Sequence, residues 1–284
     1  MKSMSVAPVA RPVRGENGPQ RLMPTEVTMT VFSWGYYGWG NHTPQLVEAV
    51  DAAETSRGFE PPVFVDVRIR RSVRAAGFTG PAFGKLLGPG RHHWMKSLGN
   101  TFIQTRTGPT IQIAKPQAAE ELLDLAVESG KTKQRLLFFC SCQWPRSEGE
   151  IACHRCTIAA LVLDAAKRRK VPVEVVEWPG GDPKHIDLDV SSEDFSAIRS
   201  GRKSVPLSAS VELAEVAALP WCSIASLHAA GNTLHRIVGP AARQGDGWVL
   251  PVFDAALDSD AELEDYTREA ARLRSALGLD VAVV

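Results

Sequence analysis

The chain has 284 residues with 32 basic and 32 acidic side chains, so no field of the molecule as a whole recruits a polyanion. Its hydrophobic share of 44% and charged share of 23% are those of an ordinary globular protein. No run approaches the roughly 18 apolar residues that span a bilayer, and Met1 to Leu22 lacks the apolar core of a secretory signal, so a cytoplasmic protein with no membrane partner is expected.

A chain of this length suggests two units, because single cores seldom grow much further. Residues 1–24 are rich in Pro, Gly and Arg and show no periodicity, which predicts a disordered tail. From Val27 a β-branched run ends in the Gly-rich aromatic turn Tyr36-Tyr-Gly-Trp-Gly40, a strand followed by a loop. Thr43-Pro44 then opens a helix with Leu46, Val47, Val50 and Ala53 on one face, closed by Gly58. The nearly continuous apolar run Pro62 to Arg68 predicts a strand covered on both faces, and strand, helix, strand implies parallel pairing with a right-handed crossover.

Residues 70–110 are broken by glycine and proline and read as irregular, with a short helix over Ala82 to Leu87. A loop region of that length is usually functional. Helical spacing returns from Pro116 to about Ser129, followed by a strand from Arg135 to Cys142, a helix from His154 to Arg169 and a strand from Val171 to Glu177. The expected fold is therefore α/β, a Rossmann-like, mainly parallel sheet with helices on both faces, over residues 25–190. Residues 191–284 predict a small α+β module: strands over Trp221 to Ala229 and Leu234 to Val238, a turn at Gln244 to Gly247 feeding Trp248 to Phe253, and a last helix opened by Ser259 and Glu262.

The strongest chemical signal is the positive charge beyond the second strand: Arg68, Arg70, Arg71, Arg74, Lys85, Arg91 and Lys96, with His92 and His93 among them. Guanidinium groups just past the carboxyl end of a parallel strand lie where α/β folds bind ligands, and phosphate suits them. The bland alternative is a solvated or internally paired charge run. Asp66 and Arg68 flank Val67 and so share one strand face, as a catalytic carboxylate with its neighbour or as a structural ion pair.

Four of the five cysteines fall between Cys140 and Cys156, which is not the layout of a disulfide framework. Cys153 at a helix N-terminus beside His154 and Arg155 suits a thiolate nucleophile, with His154 as acid/base and Arg155 on an anion. Cys140, Cys142, Cys153 and Cys156 also offer four thiolates to zinc. Plain buried packing is the third option. Tyr36, Tyr37 and Trp39 offer rings that can cover a base or close the core.

Ser33-Trp-Gly35, Phe64-Val-Asp-Val-Arg68 with Arg70-Arg-Ser72, Gly77-Phe78, Leu98-Gly-Asn100 and Leu137-Phe-Phe-Cys-Ser-Cys142 with Cys153-His-Arg155 together resemble the proteins grouped as domain of unknown function 488, over about residues 27–180. That resemblance implies a Rossmann-like domain of undetermined role in which the Asp-Val-Arg strand end and the Cys-His-Arg turn converge, with Asn100 among the site residues. Where the family often has Cys-x-Glu this chain has Cys140-Ser-Cys142, which removes an acid that Glu148 or Glu150 would have to replace.

Three functions are consistent with these residues. In the first, an enzyme hydrolyses or transfers groups on a phosphorylated small molecule, nucleotide or nucleic acid, with Arg68, Arg71 and Arg155 on phosphate, Asp66 and His154 moving protons and Tyr36 at the base. In the second, Cys153 is the thiolate of a sulfur, arsenate or acyl transfer enzyme. In the third, the chain binds nucleic acid without catalysis.

Overall fold

A computed structural model describes residues 28–142, 153–257, 270, 272–273 and 282–283. The expected tail, the acids Glu148 and Glu150, and most of the expected last helix lie outside these residues.

β1 (Met29–Gly35) leads to α1 (Thr43–Ser56), which carries Pro44 in its first turn, where a missing N–H costs no helical bond. β2 (Glu60–Asp66) follows, then α2 (Ala82–Leu87), β3 (His92–Trp94), α3 (Phe102–Thr105) and α4 (Ala118–Lys131). β4 (Gln134–Cys140), α5 (His154–Arg169) and β5 (Val173–Glu177) complete the first run. The five strands lie parallel in the order β5-β1-β4-β2-β3. Their alternation divides the core in two: Val31, Val65, Leu136 and Phe138 pack under α4 and α5, while Phe32, Phe64, Leu137 and Phe139 pack under α1 and α2. Covering on both faces explains the continuous apolar text of these strands.

β6 (His185–Asp189), α6 (Ser192–Arg199), β7 (Ser204–Pro206), α7 (Leu213–Ala217), β8 (Ser223–Ala229), β9 (Asn232–Val238), β10 (Ala242–Gln244) and β11 (Gly247–Leu257) form the second part. They build a mixed sheet in the order β10-β11-β9-β8-β6, with β7 on β11. Its inner face packs Leu227, Leu234 and Leu250 against Phe195 and Ile198. Its other face is polar in part: the Ser226 hydroxyl lies 2.5 Å from His185 Nε2 and 2.7 Å from His235 Nδ1. α7 joins the two parts by placing Ala217 in the core beneath α1.

Three expectations change. The stretch 70–110 contains β3, whose three residues are too short to show a period, so the parallel sheet gains a strand. β6 lies within the range assigned to the first domain yet pairs parallel with β8, so the second sheet begins before residue 190. Its polar, alternating text His-Ile-Asp-Leu-Asp resembles a loop until a neighbouring strand is supplied. The end of the chain also returns: β12 (Ala282–Val283) pairs antiparallel with β5 at the edge of the first sheet.

Candidate thiolate site

The carboxyl ends of β1, β2, β4 and β5 and the N-terminus of α5 meet at one edge of the parallel sheet, where α/β folds place ligands. Side-chain alternation splits the polar groups there into two clusters, one on each face.

On the α1 side, Asp66 and Arg68 form a bidentate ion pair, Nε to Oδ1 at 2.8 Å and Nη2 to Oδ2 at 2.6 Å, with both side chains buried. Arg68 also donates to the Tyr36 hydroxyl at 3.0 Å and to the Phe78 carbonyl at 2.8 Å. Its guanidinium lies over the Tyr36 ring, which is stacked on Phe78 at 4.0 Å. Burial pushes the Tyr36 phenol up. In this closed network four of the five Arg68 N–H donors are already directed at protein oxygens, which leaves one on Nη1 and no bidentate fork for an incoming phosphate. Arg71 stands apart, with its guanidinium 4.1 Å from the Trp94 ring centroid.

On the α5 side, the Sγ atoms of Cys140, Cys142 and Cys153 all lie within 4.8 Å of one another. Cys140 and Cys153 are 3.4 Å apart, and the Cys142 amide donates to Cys140 Sγ at 3.3 Å. Cys153 is the N-cap of α5, a helix of 16 residues whose free N–H groups favour negative charge at that end. Arg155 donates from Nε to Cys153 Sγ at 3.4 Å. Hydrogen bonding from Cys140 and Cys142, then from His154, together with the Arg155 charge, holds the Cys153 thiol far below its ordinary range against the opposing effect of burial. Burial pushes the Cys140 thiol well up. Contact with Cys140 lowers the Cys142 thiol, but the hydrogen bond to Cys153, burial and the Cys153 charge outweigh it and push Cys142 up to about 11. The arrangement is one thiolate held by two thiols. Cys142 is exposed, and Cys140 and Cys153 are buried behind it.

Arg155 is 0% exposed and anchors this cluster. It donates to Glu177 Oε1 at 2.5 Å, to Ser33 Oγ at 3.4 Å and to the Cys142 carbonyl at 3.3 Å. Gly35 is required beside it: a Cβ there would stand 1.7 Å from the Cys142 carbonyl oxygen and 2.9 Å from Arg155 Nη2. Glu177 is an acid in the cluster that sequence reasoning did not single out. Burial raises its carboxyl to about 7, and its Oε2 has no hydrogen-bond partner among the described residues. Only the pairing of β5 with β1 brings Glu177 beside Ser33.

His154 bridges the two clusters, with Nε2 3.2 Å from the Val67 carbonyl. A carbonyl only accepts, so that contact assigns the proton to Nε2. Asn100 lies elsewhere: it donates to the Thr110 carbonyl and accepts from the Phe102 and Gln112 amides, closing the loop after β3. Cys156 has intermediate exposure and falls outside the three-sulfur group. Comparisons with protein-family models, curated proteins and solved structures find no match to this chain.

Proposed function

We propose that this chain is a cysteine-thiolate enzyme acting on electrophilic sulfur, with disulfides as its substrate class, on a Rossmann-like frame in the cytoplasm. The observation that carries the reading is the contact of three sulfurs at the carboxyl edge, one buried and ionised, one exposed and protonated. Acyl transfer needs one cysteine and gains nothing from two more, whereas disulfide exchange needs a second thiol within reach of the first. The resemblance to domain of unknown function 488 belongs to the same reading, with Glu177 in place of the missing acid.

An incoming disulfide meets Cys142 first. The Cys142 sulfur attacks one substrate sulfur as its proton passes to the departing substrate half. A bond forms from Cys142 to the substrate, and the other substrate half leaves as a thiol. Cys153, already a thiolate, then attacks the Cys142 sulfur. The second half leaves as a thiolate, and the protein holds a Cys142–Cys153 disulfide. Two substrate sulfurs are reduced and two protein sulfurs oxidised; an external dithiol returns the enzyme to its starting state. Hydrogen bonds from Cys140 and Cys142, with the Arg155 charge added to them, keep Cys153 ionised, and Glu177 and Ser33 hold Arg155 in place. Incubation with dithionitrobenzoate followed by mass spectrometry tests this. The wild type is expected to release two thiols per chain and end with the internal disulfide, and Cys153→Ser to stop at the mixed disulfide on Cys142. Full reactivity in Cys142→Ser would overturn it.

The same sulfurs support a second reading, a zinc site. Three thiolates about 2.3 Å from one tetrahedral ion fit a group spread over no more than 4.8 Å. The donor set suits zinc, and a fourth position would remain open. Stoichiometric zinc that protects all three thiols from dithionitrobenzoate and is lost in Cys140→Ser would favour this reading over the first.

A further inference from the structure

Between Asp66 and Glu120 the chain contains no acidic residue and nine basic ones. Arg68 is neutralised by Asp66, and Arg91 by Asp51 at 2.6 Å. The other seven, among them Arg70, Arg71, Arg74 and Lys96, have no carboxylate partner among the described residues. In a protein of zero net charge this segregation produces a local positive field.

The fold gathers part of that charge at one place. Arg70, Arg71 and Arg74 lie on the segment leaving the carboxyl end of β2, and Lys96 lies just past β3, which runs parallel beside β2 with Asp66 opposite Trp94. Trp94 is 41% exposed, although its ring is not loose. Its Nε1–H donates to the Arg68 carbonyl at 2.9 Å, and the Arg71 guanidinium is stacked on it. The buried Asp66–Arg68 pair thereby fixes the backbone that fixes the ring. An exposed indole oriented in advance and bordered by unpaired arginines is what proteins offer to unstacked bases and their phosphates. An acidic peptide would use the charge and leave the ring without a partner. A duplex hides its base faces.

We propose that this surface binds single-stranded nucleic acid, with phosphates on Arg70, Arg71, Arg74 and Lys96 and a base stacked on Trp94. This binding does not depend on the thiol chemistry. Anisotropy of a labelled single-stranded oligonucleotide of about 20 nucleotides, long enough for several contacts, tests it across a salt series. Four phosphate contacts give a slope of log affinity against log salt of about −3. Arg70→Glu with Arg74→Glu, both exposed, is expected to weaken binding more than about tenfold and to flatten the slope by about 1.4. Trp94→Leu is expected to weaken binding at least about fivefold with the slope unchanged, and Trp94→Phe to restore part of it. Cys153→Ser is expected to bind as the wild type does, which separates this surface from the thiolate site. Absence of binding at low salt, equal binding by the charge-reversed variant, or equal competition by polyglutamate, duplex or phosphatidylserine vesicles would overturn the proposal.

Discussion

Asp66 and Arg68 stand two residues apart at a strand end, and the fold closes them into a pair removed from water. Removing one partner of such a pair leaves the other charged, buried and alone. Asp66→Asn is therefore expected to lower stability by about 3–5 kcal/mol, measured by urea unfolding, with Arg68→Ala similar. Full stability in both would mean that the pair is solvated. Strand alternation was enough to place the two side chains on one face. It did not show Tyr36 and Phe78, which reach Arg68 from 32 and 10 residues away and take two more of its donors. Gly35 belongs to the same scale. Gly35→Ala must displace either the Cys142 carbonyl or Arg155, so dithionitrobenzoate should react with the variant more slowly than with the wild type even if it folds. An unchanged rate would show that the cysteine turn yields without consequence.

At the scale of elements, α5 and β5 titrate in opposite senses. Glu177 keeps its proton in the native state up to about 7 and would lose it near 4.5 when unfolded, so its contribution to stability falls as pH rises through that window. Cys153 has already lost its proton in the native state and would hold it when unfolded up to about 9, so its contribution rises with pH. Each amounts to about 1.4 kcal/mol per pH unit. The two cancel between about pH 4.5 and 7, and only the rise remains from there to about pH 9. Urea unfolding against pH is expected to show a flat region and then a rise in the wild type. Glu177→Gln should rise throughout, while Cys153→Ser should fall and then level. A parallel profile in all three would contradict both assignments. Helical spacing located α5 to the residue, and its N-terminus already pointed to Cys153. The acid facing it could not be read, because Glu177 meets Arg155 only once β5 pairs with β1, and strand order is not written in local periodicity.

For the whole molecule, the alternation of strands and helices was legible, and the division into two parts only approximately so. β6 and β12 each join a sheet that their position in the chain does not suggest, since both are short and take their identity from the partner strand. Ending the chain after residue 257 removes β12 from the edge of β5 and takes Ala270 and Leu273 from the small core around Cys222 and Ile237. Such a truncation is expected to lower the thermal midpoint by several degrees, at about 4 °C or less per kcal/mol for a chain of this size; an unchanged midpoint would show that the returning segment is dispensable. The proposed chemistry depends most on the ionisation of Cys153 at neutral and mildly acid pH. Ultraviolet thiolate absorbance followed across pH measures it directly. The wild type is expected to keep the absorbance of one thiolate at about pH 5, far below an ordinary thiol, and Cys153→Ser to lose it. An absorbance that first appears above about pH 8, equally in both proteins, would contradict the thiolate site.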